Sequence, residues 1–292
     1  MGKKMKDLTV RTGTGFVLLL VVFGSIFLSK WSFGALLLVI LIGSLREFYR
    51  MARRGGIAPQ RTFGMVTGAL FFIVNFIVFL YLEKETGGQA MFIALAGMLL
   101  VLLLAIPLMF VVALNHRCKN PIADLGATFV GLLYIAMPMS LLLYIPILAD
   151  QNMVWNPWVM LLYMMLIWAN DVCAYLVGVS FGRHHICERI SPKKSWEGFF
   201  GGIIGALAMG LLSAYILGGN LAIWLGLALV VAITGVLGDL VESMFKRSAG
   251  VKDSGRIMPG HGGWLDRFDA LILSAPFAFV YLVFATLFLG KL

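Results

Sequence analysis

Short polar stretches divide the sequence into nine apolar runs, at about residues 14–29, 31–45, 62–82, 89–114, 124–149, 157–181, 198–217, 221–241 and 270–290. Crossing the hydrocarbon core of a bilayer takes about 20 apolar residues, so a chain built this way has few folds open to it. Lipid offers the backbone no hydrogen-bond partners, and each crossing must be a helix or a strand of a closed barrel. The runs lack the period-two alternation of barrel strands. We therefore expect an all-α integral membrane protein with about nine transmembrane helices. The first two runs are short and predict a tight helical hairpin around Lys30-Trp31. The fourth and fifth are long enough to tilt. Lysines ahead of the first run give it the look of a signal peptide. No small-residue cleavage site follows it and the next run begins at once, so it reads as a retained span.

Composition supports this class. The chain is 61% hydrophobic and 13% charged, where soluble proteins average about 45–50% and about 25%. Disorder, a collagen-like fibre, a disulfide scaffold and an ordinary cytosolic domain are excluded. Cys118, Cys173 and Cys187 are spaced for neither a disulfide framework nor a zinc site. The net charge of +9 follows from topology rather than from a nucleic-acid partner. When alternate connections are assigned to opposite sides with the N-terminus inside, only Lys30, Lys84 and Lys291 of the 23 Lys and Arg fall outside. The expectation is a multi-pass cell-membrane protein with a cytoplasmic N-terminus, an outer C-terminus, a site facing the cytoplasm and no bound nucleic acid.

No internal repeat is evident, so an inverted-repeat transporter gains no support. We expect an N-terminal region, 1–150, of about five spans and a catalytic region, 151–292, with cytosolic loops 182–197 and 242–269. Before residue 165 the connections are short or merely basic, as in Arg46–Arg61 and His116–Lys119. Function is expected in the second half.

If the eighth span continues as a helix, Asp239, Glu242, Ser243 and Lys246 fall on one face. Asp266 and Asp269 lie one turn apart where the ninth span begins. Between them Gly255, Pro259, Gly260, Gly262 and Gly263 prevent a continuous helix and let backbone amides approach a ligand. The loop thus returns a second acidic pair towards the first, amid Lys246, Arg247, Lys252, Arg256 and Arg267. Carboxylates set among cations suit Mg2+, which is held by one or two carboxylates together with substrate phosphates. Lys and Arg neutralise the remaining phosphate charge. A positive-inside loop with internal salt bridges also accounts for the basic residues and some of the acids. It accounts for neither the glycine pattern nor Asp239 near the membrane.

Asp171 lies inside the sixth span, where a carboxylate needs a polar cavity or a partner. It serves either function or, with Asn170, a polar lock between helices. In Ser191-Pro192-Lys193-Lys194-Ser195-Trp196-Glu197-Gly198, Ser191 as cap and Pro192 as first residue predict a helix starting there. Lys193, Lys194 and Glu197 would then sit in its first turns, where the dipole favours phosphate. A surface anchor of lysines with interfacial Trp196 is the equal alternative. Gly198, Gly201, Gly202 and Gly205 read as a close helix-packing stripe. His261, between glycines, is placed for ligand contact, whereas His116, His184 and His185 read as solvated loop residues. Zinc-protease, serine-hydrolase and Walker-type patterns are absent from the sequence.

The stretch from Ser243 to Asp269 reads Ser-x-x-Lys-Arg, then Lys-Asp, then Pro-Gly-His-Gly-Gly-x-x-Asp-Arg-Phe-Asp. This pattern resembles the signature of phosphatidate cytidylyltransferases (CDP-diglyceride synthases) of the bacterial type. The Ser191–Gly198 stretch and the Asp171, Ala174-Tyr175, Gly178 pattern are similar to that family as well. The resemblance covers about residues 168–270, and the N-terminal half resembles the family only in being hydrophobic and polytopic. It implies Mg2+-dependent transfer of CMP from CTP to phosphatidic acid, giving CDP-diacylglycerol and pyrophosphate for phospholipid biosynthesis. It also implies about nine membrane helices and a homodimer. The family's metal aspartates match Asp239 and Asp266. For that chemistry Asp171, Asp253 and Asp269 are expected as outer ligands or orienters, with Glu197 beside them in the catalytic set. Lys193, Lys194, Lys246, Arg247, Lys252, Arg256 and Arg267 are expected to share the triphosphate and lipid phosphate. Ser243, Gly262 and Gly263 complete the binding set, with His261 shaping the loop. One departure is Val172, which follows Asp171 where the family often has a hydroxyl residue. The alternatives are a CTP-dependent polyprenol or lipid kinase and, more distantly, an ion-coupled transporter using Asp171 and Asp239.

Overall fold

The computed structural model describes residues 2–82, 88–115, 120–150, 152–255, 257 and 262–288. Four long helices open the chain: α1 (Gly2–Leu28), α2 (Lys30–Arg54), α3 (Arg61–Leu82) and α4 (Gly88–Asn115). A broken stretch follows, made of α5 (Pro121–Gly131), a π-helical turn (Leu132–Ala136), α6 (Met137–Leu141) and α7 (Ile145–Leu148). Then come α8 (Pro157–Phe181), a hairpin of β1 (His185–Cys187) and β2 (Ser191–Ser195), α9 (Trp196–Leu217), α10 (Leu221–Ser248) and α11 (Leu265–Phe288). Among the described residues, seven stretches are long and apolar enough to cross a bilayer: α2, α3, the broken α5–α7 stretch and α8 to α11. Shorter apolar segments lie in α1 and α4, at Thr12–Leu28 and Leu99–Leu114. The protein is a multi-pass, almost wholly helical membrane protein. Lys84, Lys291 and the His116–Lys119 connection lie outside the described residues.

Three local features depart from the sequence reading. Helix α2 continues to Arg54, well past the apolar run that ends near residue 45. Arg46, Arg50, Arg53 and Arg54 are good helix formers, and Arg53 and Arg54 suit the negative end of the helix dipole. Hydropathy marks where a helix leaves the membrane rather than where it stops. The fifth span is interrupted near Pro138 and Pro146, which have no N–H to donate to the helical ladder. The helix expected to start at Ser191 starts at Trp196 instead. Ser195, not Ser191, is its cap, accepting from Gly198 N at 3.2 Å, and Ser191–Ser195 is a strand paired antiparallel with β1. Lys193 and Lys194 therefore stand on an extended segment, not in a helical first turn.

The chain forms two compact units. The first contains Met1–Leu143 and Phe245–Phe268. Its centre is aromatic: buried Tyr49 donates to Thr128 O at 3.0 Å, and Phe245 meets Phe48 and Tyr134 edge-on, with ring centroids 5.4 and 5.3 Å away. The start of α3 is pinned by side-chain acceptors from α5. Asp124 Oδ1 accepts from Ala58 N at 2.7 Å and Thr128 Oγ1 from Gln60 N at 2.9 Å.

The second unit contains Tyr144–Met244 and Asp269–Leu292. Here α8 and α9 pack through the glycine stripe. A Cβ on Gly198, Gly201, Gly202 or Gly205 would come within 3.0 Å of Ala174, Val177, Asn170 or Cys173, so only glycine permits this approach. Between α10 and α11, Tyr281 fills the space over Gly226 and donates to Ile223 O at 3.1 Å. Tyr163 and Ser274 share a buried hydrogen bond of 2.7 Å that ties α8 to α11.

Candidate active site

In the second unit, α10 carries Asp239 and Glu242 one turn apart, on the face expected from their spacing. Helix α11 brings Asp269 to them because Gly238 leaves room. A Cβ there would fall 2.6 Å from the Asp269 carbonyl oxygen. Asp239, Glu242 and Asp269 each place one carboxylate oxygen within 4.8 Å of the others. Glu242 is buried. Lys194 reaches into this group from β2, with Nζ 2.6 Å from Asp239 Oδ2 and 3.1 Å from Val236 O. Asp171 of α8 lies in the electrostatic range of Lys194 and Asp239. Its neighbour Asn170 is fully buried, packed against Gly202. Asn170 thus sits at the α8–α9 packing surface, while Asp171 lies within range of the charged group. Carboxylates gathered this closely repel one another unless a proton or cation intervenes. A set of hard oxygens of this kind fits a divalent cation such as magnesium or calcium.

In the first unit Asp266 and Glu47 are satisfied by the protein itself. Asp266 Oδ1 accepts from Lys246 Nζ at 2.9 Å. Its Oδ2 accepts from Ser254 N at 2.9 Å, Ser254 Oγ at 2.9 Å and Gly263 N at 2.8 Å. Glu47 of α2, which is buried, accepts on Oε2 from Leu265 N at 3.0 Å and from Ser254 Oγ at 3.1 Å. The single hydroxyl proton of Ser254 is shared between the two acids. The glycines of this loop serve the same contacts. A Cβ on Gly255 or Gly263 would collide with the Glu47 carboxylate, and Gly262 adopts φ +83°. Beside this latch lies a cavity of about 400 Å3 lined by Arg50, Arg54, Lys252, Asp253, Ser254 and Gly255.

The remaining expected residues are distributed as follows. Glu197 holds the start of the hairpin: Oε2 accepts from Arg183 N at 3.1 Å, and Oε1 lies 2.6 Å from His184 Nδ1. Lys193, Arg247 and Arg267 are exposed, and Ser243 is half-buried on α10. Lys252 and Asp253 are exposed at the cavity. Arg256 and His261 lie outside the described residues. Sequence reasoning passed over Glu47, Arg50, Arg54 and Ser254, and gave Glu242 no role in the site. The signal for Glu47 was a carboxylate placed where a basic connection was expected.

A sequence profile of the cytidylyltransferase family matches residues 9–285. The chain belongs to the cytidylyltransferase family. Among relatives, the phosphatidate cytidylyltransferase of Synechocystis sp. is 32% identical over 287 residues, covering 89% of this chain and 92% of that protein. The phosphatidate cytidylyltransferase of Staphylococcus aureus (strain COL) is 46% identical over 121 residues, 41% of this chain and 46% of its own length. That of Mycobacterium leprae is 47% identical over 121 residues, 41% of this chain and 38% of its own. This chain therefore spans less than half of the staphylococcal and mycobacterial relatives. Membership in the cytidylyltransferase family bears out the resemblance drawn from residues 168–270 and extends it into the N-terminal half.

Proposed function

We propose that this chain transfers CMP from CTP to phosphatidic acid, forming CDP-diacylglycerol and pyrophosphate for phospholipid biosynthesis, with Mg2+ as cofactor. The observation that carries the reading is the convergence of Asp239, Glu242 and Asp269 within 4.8 Å. Family membership and the names of its relatives support reading that cluster as part of a cytidylyltransferase site. Phosphatidate is a phosphate monoester whose second pKa lies near 6, so it is largely dianionic at neutral pH. Its oxygen attacks the α-phosphorus of CTP, the bond from that phosphorus to the bridging oxygen breaks, and pyrophosphate leaves with the electron pair. No strong general base is needed. The protein's work is to bring two anions together, align them and stabilise the leaving group.

Asp239 and Asp266 are the aspartates that would hold the ion, as the resemblance implies, with Glu242 and Asp269 added by their grouping around Asp239. For Asp266 this requires Oδ1 to release Lys246. Bound Mg2+ supplies charge neutralisation and alignment of phosphate oxygens. Lys194 and Lys246, each paired with a carboxylate, would share the phosphate charge with Lys193, Arg247, Lys252, Arg256 and Arg267. Asp171 orients Lys194. Asp253, Ser243, His261, Gly262 and Gly263 shape the binding loop, and Glu197 positions the hairpin that carries Lys194. The region 151–292 would be catalytic, in a nine-span inner-membrane protein with loops 182–197 and 242–269 facing the cytoplasm, working as a homodimer.

Incubating the purified protein with CTP, phosphatidic acid and Mg2+ and identifying both products tests the reading. CDP-diacylglycerol and pyrophosphate are expected. CDP with a phosphorylated lipid would make the protein a lipid kinase, and untouched nucleotide would overturn the assignment.

A further inference from the structure

We propose that Arg50 and Arg54 of α2, together with Lys252, form a subsite for a phosphate-bearing anion; the identity of its ligand as a substrate rests on the activity proposed above. Glu47, Arg50 and Arg54 occupy positions i, i+3 and i+7, one face of α2. Glu47 fastens Ser254 and Leu265 to that face. The segment leading to Ser254 is thereby laid beside the next two turns, where the arginines stand. The resulting cavity, about 400 Å3, is within the range of small-molecule sites, about 300–1,000 Å3.

Its chemistry is one-sided. Three cationic side chains line it against one carboxylate, Asp253, while buried Ser254 and Gly255 form its floor. The arginines at the end of α2 offset the helix dipole, but that role does not select a face. Arg53 shares the last turn with Arg54 and does not line the cavity. Arg50 and Arg54, one turn apart on α2, set two positive charges side by side at the cavity, with Lys252 also lining it. An anion relieves such crowding, and a guanidinium binds phosphate through two parallel hydrogen bonds. The shared chemistry is a phosphate group, from either the polyphosphate of a nucleotide or the headgroup of an anionic lipid.

The test uses the full chain in detergent and begins without turnover. Tripolyphosphate binding is measured by calorimetry for wild type, Arg50→Gln, Arg54→Gln and the double variant. The expectation is affinity about 10-fold weaker for each single variant, with more lost in the double, as for loss of a charge-assisted contact. Arg53→Gln, which removes the same charge from the same turn, should bind within about twofold of wild type. Arg54→Gln sits at an exposed helix end, so the test survives if Arg50→Gln fails to fold. KM values then assign the source. A rise for CTP alone identifies the nucleotide polyphosphate, and a rise for phosphatidic acid in mixed micelles identifies the headgroup. Unchanged binding with both KM values unchanged overturns the subsite. So does an Arg53→Gln variant as weak as Arg54→Gln, which would reveal a diffuse surface field. Because tripolyphosphate binding needs no catalysis, this inference and the proposed reaction fail separately.

Discussion

Asp266 and Asp269 stand one turn apart at the start of α11, yet their surroundings differ in kind. Asp266 accepts four hydrogen bonds from Lys246, Ser254 and Gly263, and nearby Glu47 holds Ser254 and Leu265. Asp269 instead joins Asp239 and Glu242 in a group of carboxylates within 4.8 Å of one another. In the first region each acid is matched by donors that come with the chain, which is the chemistry of a latch. In the second, three acids gather around one lysine, Lys194, which pairs with Asp239, and that is the chemistry of a cation site. The contrast teaches that acidic residues equally spaced in sequence are told apart by the donors brought to them.

Several measurements can break this distinction. The largest effect is expected for Asp239→Ala: transfer of label from CTP into lipid should fall about 100-fold or more, the upper range for disturbing a metal site. The rise in thermal midpoint on adding Mg2+ should vanish with it. Retained transfer would remove Asp239 from the metal site. Asp266→Asn is the sharpest arbiter, because the resemblance makes it a ligand while its hydrogen bonds make it part of the latch. If it serves both, the Mg2+ concentration for half-maximal rate rises about 10-fold or more; an unchanged requirement would leave it to the latch alone. Glu47→Ala should lower unfolding stability by about 3 kcal/mol, as for loss of a buried, hydrogen-bonded charge. The Mg2+ requirement should stay the same, and a changed requirement would show that latch and cation site are one system. The smallest effect belongs to Ser195→Ala, which removes the cap of α9 at a cost of about 1 kcal/mol, read as a modest drop in thermal midpoint.

Much of this was legible in the sequence. The apolar runs located the helices because backbone satisfaction in lipid leaves no alternative. The spacing of Asp239, Glu242 and Lys246, and of Asp266 and Asp269, needed only helical geometry. What escaped was long-range. Glu47 and Ser254 lie 207 residues apart, and no local pattern links them. Ser195 overtook Ser191 as a helix cap because strand pairing with His185–Cys187 claimed the earlier residues, a tertiary preference that capping rules do not see. The glycines of the loop were expected to let backbone amides approach a ligand; at Gly255, Gly262 and Gly263 the groups that lie close are the protein's own carboxylates, Glu47 and Asp266.

The Glu47 contacts also impose an order on how the protein is made. Ser254 leaves the ribosome 207 residues after Glu47, and Leu265 218 residues after. At about 5–20 residues per second, that is a wait of about 10–40 s in which a carboxylate destined for burial has none of these partners. Glu47 of α2 can meet these partners only once the residues from the end of α10 to the start of α11 have been made. The closing of the Glu47–Ser254–Leu265 contacts is thus a late, long-range event that joins residues made far apart in time.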